Sequence, residues 1–207
     1  TVYSIGIDSL FSVLKMIGVV AICLLLQAFL VYGIMLKLTT NLPFNIFLKK
    51  YTPIASVAFS TSSSNATIPL SMRVMDELGV DKSIYQFSLP LGATVNMAGT
   101  AIMQGVAAVF IAQIYGINLS IYSMLTIVVT AVLASVGTAG VPGVGMVMMT
   151  MVLQSVNLPI EGMALIFGFD RILDMMRTPI NVMGDCICTI IVANSEKSLD
   201  RDKYINN

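Results

Sequence analysis

The sequence predicts an all-α membrane protein with three transmembrane helices, one of them broken, and two opposed re-entrant helical hairpins. Charged residues make up only 11% of the 207 residues, against about 25% in typical soluble domains, and the mean hydropathy is +0.89. No Asp, Glu, Lys or Arg occurs from Ser83 to Ile160, a stretch long enough to cross about 30 Å of hydrocarbon several times. The last apolar segment carries a single stripe of charged and amide side chains, which indicates an internal polar site within the membrane.

The first predicted element is a transmembrane helix over residues 11–38. Only Lys15, Gln27 and Lys37 interrupt its apolar run, which is long enough for a tilted span. A first hairpin is predicted over 44–82, because Ser60 to Thr67 is too polar for the centre of a spanning helix. Non-helical backbone at membrane depth is tolerated only where protein or water surrounds it, so two short helices should meet at this serine-rich tip.

A broken helix is predicted over 83–116, because Gly92, Asn96 and Gly99 interrupt its helical pattern near the middle. The second hairpin, over 120–157, has two apolar arms that are each shorter than the roughly 20 residues of a span. Its tip, Gly137 to Gly145, contains four glycines and one proline. These residues break helices and favour a tight tip.

The last predicted span covers 162–195 and is followed by a polar tail over 196–207. Successive spacings of four, three, four and four place five polar residues on one face of this helix, where each must face a partner or a cavity rather than lipid. These residues are Asp170, Asp174, Arg177, Asn181 and Asp185.

The distribution of basic residues supports this layout. If each hairpin leaves the membrane on the side from which it entered, all basic loops and the C-terminal tail fall on one side, which the positive-inside rule assigns to the cytoplasm. We therefore expect a multi-pass protein of the plasma membrane, or of the inner membrane in a bacterium. The basic residues counted are Lys37, Lys49, Lys50, Arg73, Lys82, Lys197, Arg201 and Lys203.

Composition argues against several classes of function. The formal net charge is zero, so nothing indicates a nucleic-acid partner, and the absence of His removes the commonest general base and metal ligand. An intramembrane aspartyl hydrolase would need two carboxylates on facing elements, whereas the candidate Asp residues here lie on one helix. With no Walker A motif and no GxSxG elbow, we predict that the protein is not an enzyme.

Broken helices and paired hairpins around a midplane site are characteristic of secondary transporters. Serine hydroxyls and helix N-termini at the first tip favour a carboxylate, and glycines at the second tip allow close backbone approach and movement. Carbonyl groups from Gly92 to Met97, together with Asp185, offer the oxygen ligands that a hard cation prefers.

Four motifs together resemble the dicarboxylate/amino acid:cation symporter family, which includes the glutamate and neutral amino acid transporters. The resemblance covers only the C-terminal portion of a member, from its sixth to its eighth helix with both hairpins. It implies that the scaffold helices, through which members form homotrimers, lie outside this chain. The motifs are STSSSNATIP (Ser60 to Pro69), NMAGTA (Asn96 to Ala101), SVGTAGVPGVG (Ser135 to Gly145) and DRILDMMRTPINVMGD (Asp170 to Asp185).

The resemblance implies a substrate site and two sodium sites. Asp174 would bind the substrate amino group and Arg177 a side-chain carboxylate, for which its planar fork is suited. Asn181 would hold the substrate backbone, with Thr178 and Thr100 beside the side chain. The tips would close over the substrate with Ser62, Ser63 and Ser64 from the first hairpin and Val141, Pro142, Gly143, Val144 and Gly145 from the second. One sodium site would comprise Gly92, Asn96, Asn181 and Asp185, and the other Thr94, Met97, Ser135, Val136 and Thr138.

One departure from the family pattern leaves the coupled ion open. Acidic amino acid carriers usually have Asn-Met-Asp-Gly-Thr where this chain has Ala98 in place of the Asp, which removes part of a third sodium site. The leading prediction is sodium-coupled symport of aspartate or glutamate by an elevator-type mechanism. The alternatives are a proton-coupled or reduced-sodium symporter of neutral amino acids, cystine or dicarboxylates, and, in another class, an anion channel, although no ring of like charges is present.

Overall fold

The structure is a computed structural model that describes residues 7–136 and 139–206. Most of these residues are helical and none forms a β-strand, although one isolated β-bridge joins Val80 and Leu199. A π-helical segment, Gln27–Tyr32, joins α1 to α2, and a 3₁₀ turn, Ile160–Gly162, precedes α9. The α-helices are α1 Ile7–Leu26, α2 Gly33–Thr40, α3 Phe44–Thr61, α4 Ser64–Glu77, α5 Lys82–Val95, α6 Ala98–Ile114, α7 Ile121–Val136, α8 Val144–Ser155, α9 Met163–Phe167, α10 Asp170–Ser195 and α11 Arg201–Ile205.

Three helical stretches are long and apolar enough to cross a membrane: Phe11–Thr40, Lys82–Ile114 and Asp170–Ser195. The predicted all-α class is therefore confirmed, and the number of candidate spans agrees with the prediction. The middle stretch is broken, as predicted, because Asn96 and Met97 leave the helical region of backbone conformation between α5 and α6. The break leaves the C-terminal end of α5 and the N-terminal end of α6 within the protein.

Each predicted hairpin is a pair of short helices that pack against each other, α3 with α4 and α7 with α8. At the tip of the first hairpin, Ser62 takes a left-handed conformation (φ 52°), which ends α3 sharply. Ser63 then caps α4, because its hydroxyl accepts from the backbone N–H of Ala66. That both hairpins are re-entrant and enter from opposite sides of a bilayer stays a prediction.

Two segments differ from the sequence expectation. The stretch predicted as one helix over 162–195 is divided into α9 and α10, because the backbone turns at Gly168 and Phe169. The tail after residue 195, whose composition is polar, is packed onto the protein. Tyr204 is completely buried and donates to the carbonyl of Pro43, while Arg201 donates to the carbonyl of Thr40.

The helix α10 is the centre of the fold. It packs against both helices of the first hairpin, both halves of the broken helix and the first span. The stripe from Asp174 to Asp185 is therefore buried within protein rather than exposed to lipid, and its polar groups lie in a low-dielectric interior. This placement brings the stripe against the hairpin tips and the break at Asn96 and Met97.

Candidate functional site

A small polar cavity lies where the two hairpin tips and the break in the middle helix meet α10. Three helices, α4, α6 and α8, begin at this cavity, so their N-terminal dipole ends are directed toward it. Its volume is about 10 Å³, roughly the space of one water molecule. It is lined by Ser62, Ser64, Met97, Thr100, Ala139, Gly140, Val141, Gly145, Asp174, Arg177, Thr178 and Asn181.

The floor of the cavity carries two opposite charges that are almost entirely buried. Arg177 is 2% exposed and Asp174 is 4% exposed. The Nε and Nη2 atoms of Arg177 each lie 3.0 Å from Oδ1 of Asp174, a spacing of three residues that one helical turn supplies. The remaining nitrogen, Nη1, is buried and has no hydrogen-bond partner among the described residues, so it is a charged donor left for another acceptor.

The second hairpin contacts this charged pair through its backbone. Gly143 has a positive φ of 83°, which glycine adopts without strain, and its N–H donates to Oδ2 of Asp174 at 2.9 Å. A side chain at Gly145 would collide with the guanidinium of Arg177. The tip of the second hairpin therefore lies directly on the two charges, as close as backbone allows.

Asn181, one turn further along α10, joins the stripe to the break in the middle helix. Its Oδ1 accepts from the N–H of Gly99 at 2.7 Å, and its Nδ2 donates to Oγ1 of Thr100 at 3.2 Å and to Sδ of Met97 at 3.2 Å. The Oγ1 of Thr178 donates to the carbonyl of Asp174 in its own helix. The Asn181 amide thus holds the N-terminal end of α6 against the stripe.

Asp185 forms a second polar cluster below the cavity, with Gly92 and Asn96 of the broken helix. Nδ2 of Asn96 donates to Oδ1 of Asp185 at 3.0 Å, and a Cβ at Gly92 would lie 2.8 Å from the same oxygen. Asp185 is 4% exposed, and none of the ion pairs between described residues includes it. Its carboxyl group is therefore buried without an ion pair to any described residue.

The second predicted sodium set is only partly described. Thr138 lies outside the described residues, whereas Ser135 is buried near the end of α7 and Val136 is exposed. The hydroxyls of Thr94 and Ser135 each donate to a carbonyl within their own helix. In the described ranges no group of three or more His, Cys, Asp or Glu side chains could hold a metal ion.

Most of the predicted substrate residues line one cavity, but Ser63, Pro142, Gly143 and Val144 do not. Asp170 is only half-buried, and its Oδ1 accepts no hydrogen bond from a described residue.

Sequence reasoning missed three residues that line or contact the site, namely Gln104, Ala139 and Gly140. Gln104 is fully buried and donates from Nε2 to the carbonyl of Gly145 at 3.0 Å. Gly140 lines the cavity and accepts from the tip of the first hairpin. Gln104 could have been found, because it follows Thr100 by four residues on an otherwise apolar helix and so continues its polar face.

A polar cavity between helix interruptions, inside a bundle of membrane-length helices, is the arrangement by which secondary transporters bind their solutes. Comparison with known families gives the same class. The chain belongs to the sodium:dicarboxylate symporter family, whose model matches residues 1–195, and the resemblance seen in the four motifs is thereby confirmed. The family and the relatives below are transporters, in agreement with the prediction that the chain is not an enzyme.

Three relatives illustrate the similarity. The chain is 39% identical to the proton/glutamate-aspartate symporter of Escherichia coli (strain K12), over 99% of this chain and 47% of the relative. It is 37% identical to the proton/sodium-glutamate symport protein of Bacillus subtilis (strain 168), over 95% and 46%. It is 50% identical to excitatory amino acid transporter 3 of Mus musculus, over 70% and 28%. The chain spans about half the length of the bacterial relatives it matches.

Proposed function

We propose that the complete protein is a cation-coupled symporter of acidic amino acids, and that this chain supplies the C-terminal part of its transport domain. The names of the relatives support the solute class, since they are glutamate or aspartate symporters and excitatory amino acid transporters. The single observation that carries the proposal is the free Nη1 of the buried Arg177, which borders a cavity that three helix N-termini also face. Each of these features favours an anion.

In this proposal the substrate shares the charged pair on the cavity floor. Its side-chain carboxylate accepts from Nη1 of Arg177, while its amino group binds Asp174 in competition with the N–H of Gly143. Asn181 and Thr100 hold the substrate backbone and side chain, with Thr178 beside them. The hydroxyl and backbone groups of Ser62 and Ser64 bind from the first tip, and Val141 to Gly145 cover the substrate from the second. Because the cavity is far smaller than an amino acid, one tip must move before the substrate can enter.

The coupling cation is proposed to bind at Asp185. A buried carboxylate without a cationic partner is unfavourable, and one monovalent cation would neutralise it. Gly92, Asn96 and Asn181 adjoin this carboxylate and would supply carbonyl and amide oxygens, the ligand type that a hard cation prefers. Thr94, Met97, Ser135, Val136 and Thr138 would form the second sodium site.

A proton in place of sodium is the second candidate for the coupled ion, and Ala98 is the observation that favours it. The missing carboxylate at this position removes one oxygen ligand from the region of the break. The relative from E. coli is named a proton symporter, whereas that from B. subtilis is named for both ions. Neutral amino acids, cystine or dicarboxylates are the corresponding alternatives for the solute.

We further propose an elevator-type movement of this domain against a scaffold formed by the remaining half of the protein, in a homotrimer. The basic loops and the C-terminal tail would face the cytoplasm, in keeping with the positive-inside rule. The low proportion of charged residues, 11% of the sequence, suits a domain that slides within lipid and protein.

The test is uptake of radiolabelled aspartate and glutamate by the complete protein in proteoliposomes. We expect uptake when sodium is present outside only, and none when the sodium gradient is collapsed. Uptake driven by a proton gradient with sodium absent on both sides would transfer the coupling role to the proton. Uptake of serine but not aspartate would refute an acidic solute.

A further inference from the structure

The tips of the two hairpins are joined at a shared acceptor, which we call the tip junction and define as Ser63, Asn65 and Gly140. The carbonyl of Gly140, in the second hairpin, accepts from the hydroxyl of Ser63 at 2.9 Å and from the backbone N–H of Asn65 at 3.3 Å. Both donors belong to the first hairpin, 75 or more positions earlier in the chain. One carbonyl oxygen thus connects two elements that are remote in sequence.

The single hydroxyl proton of Ser63 is used by these contacts. The hydroxyl oxygen accepts from the N–H of Ala66 at 3.3 Å as the cap of α4, and its one proton goes to Gly140. A hydroxyl has a single proton to donate, so Ser63 has none left for a ligand. Its neighbours Ser62 and Ser64 line the cavity, whereas Ser63 does not.

Gly140 fits the junction only because it has no side chain. A Cβ there would lie 2.8 Å from the carbonyl oxygen of Ala93 and 3.0 Å from Oδ1 of Asn65, closer than ordinary contacts allow. The second tip is therefore seated against the first hairpin and the broken helix at once. Further along the same tip, Gly143 and Gly145 are held by Asp174 and Gln104.

We infer that Ser63 is a positioning residue that holds the second hairpin closed over the cavity, and that it does not contact the substrate. With the tip junction formed, the cavity has room for about one water molecule. Entry or exit of a larger solute therefore requires the hydrogen bond from Ser63 to Gly140 to break. Only this consequence for solute exchange rests on the proposed function, because the junction itself is a property of the protein alone.

Hydrogen–deuterium exchange of the complete, purified protein without added solute tests the junction. In Ser63→Ala we expect amides of residues 140–146 to exchange about two- to tenfold faster, the effect of one neutral hydrogen bond on an opening equilibrium. Ser63→Thr keeps the hydroxyl and should exchange like the unmodified protein. Ser60→Ala is the matched control, because the hydroxyl of Ser60 donates only to Val57 in its own helix.

Exchange within the first hairpin separates the two tasks of Ser63. If Ser63→Ala lost only the helix cap, amide exchange would become faster in residues 64–68 and stay unchanged in residues 140–146. That result would overturn the inference. The inference would also be overturned if amide exchange in residues 140–146 became faster to the same degree in Ser63→Thr and Ser63→Ala.

Gly140→Ala provides an independent variant, because the added methyl group should displace the second tip while the cap of α4 stays intact. Amide exchange in residues 140–146 should therefore become faster. Unchanged exchange in this variant would contradict the seating of the tip. Dissociation of labelled aspartate should be faster from Ser63→Ala than from Ser60→Ala. If the complete protein binds no aspartate, the proposed solute is wrong, while the exchange data still decide the role of Ser63.

Discussion

Replacing Arg177 with Lys tests whether the guanidinium fork recognises an acidic side chain. Lysine keeps one positive charge beside Asp174 but has no second nitrogen held in a fixed plane. In the structure, two nitrogens of Arg177 bind Asp174 and only Nη1 remains for a ligand. The variant should therefore retain the internal ion pair and lose the donor that the substrate carboxylate would use.

The magnitude follows from the kind of bond that is lost. A hydrogen bond between charged groups contributes about 1.5–3 kcal/mol, so the dissociation constant for aspartate should rise about 10- to 150-fold. A neutral amino acid such as serine has no side-chain carboxylate for Nη1, and its binding should change far less. Truncation to Ala would be less informative, because it would leave Asp174 buried without its partner, which is strongly destabilising.

The assay is equilibrium binding of radiolabelled aspartate to the complete protein, with unlabelled aspartate, glutamate and serine as competitors. Thermal unfolding of Arg177→Lys in the same detergent shows whether the fold is preserved. An equal loss of affinity for aspartate and serine would refute the reasoning, because Arg177 would then act on a feature common to both solutes. Unchanged binding of aspartate would refute it as well.

Three further predictions concern the packing, the cation and the surface. Gly145→Ala places a methyl group against the guanidinium of Arg177 and should reduce the free energy of aspartate binding or of unfolding by about 1–3 kcal/mol. Gly105→Ala, which has open space around it, should change neither quantity. If calorimetry and thermal unfolding gave the same losses for both variants, this packing argument would be contradicted. Asp185→Asn should abolish the rise in melting temperature that sodium produces by mass action, and a sodium shift equal to that of the unmodified protein would exclude Asp185 as a ligand. Hydrogen bonds from Ser83 lower the pKa of Asp81, so its carboxylate stabilises the fold above its unfolded pKa and loses this effect as the pH falls through the lowered value. The melting temperature of Asp81→Ala should therefore lie below that of the unmodified protein at pH 7. A difference in melting temperature that stays constant on acidification would contradict this assignment.

The sequence was sufficient to predict the class and the stripe because both depend on local patterns. Long stretches without charged residues predict membrane spans. Spacings of three and four place Asp174, Arg177 and Asn181 on one helix face, whatever surrounds that helix. The break at Asn96 and Met97 could be predicted for a similar reason, since residues that disfavour helix are concentrated there. These elements could be predicted without any knowledge of tertiary contacts.

The features that could not be predicted depend on contacts between distant segments. The bond from Ser63 to Gly140 joins residues 77 positions apart, and the N–H of Gly143 reaches Asp174 across 31 positions. Tyr204 lies in a segment of polar composition, yet it is buried, and burial raises the pKa of its phenol. A pattern of residue types does not report which surface a tail will cover.

Calorimetric binding of aspartate, glutamate, serine and cystine to the complete protein, with and without sodium, tests the central claim most directly. The charged cavity floor and the unpaired Asp185 together predict that aspartate or glutamate binds tightly in sodium and weakly when sodium is replaced by an inert cation. They also predict little heat from serine under either condition, because serine has no side-chain carboxylate for Arg177. Sodium-independent binding of aspartate, or preferential binding of serine, would contradict the account.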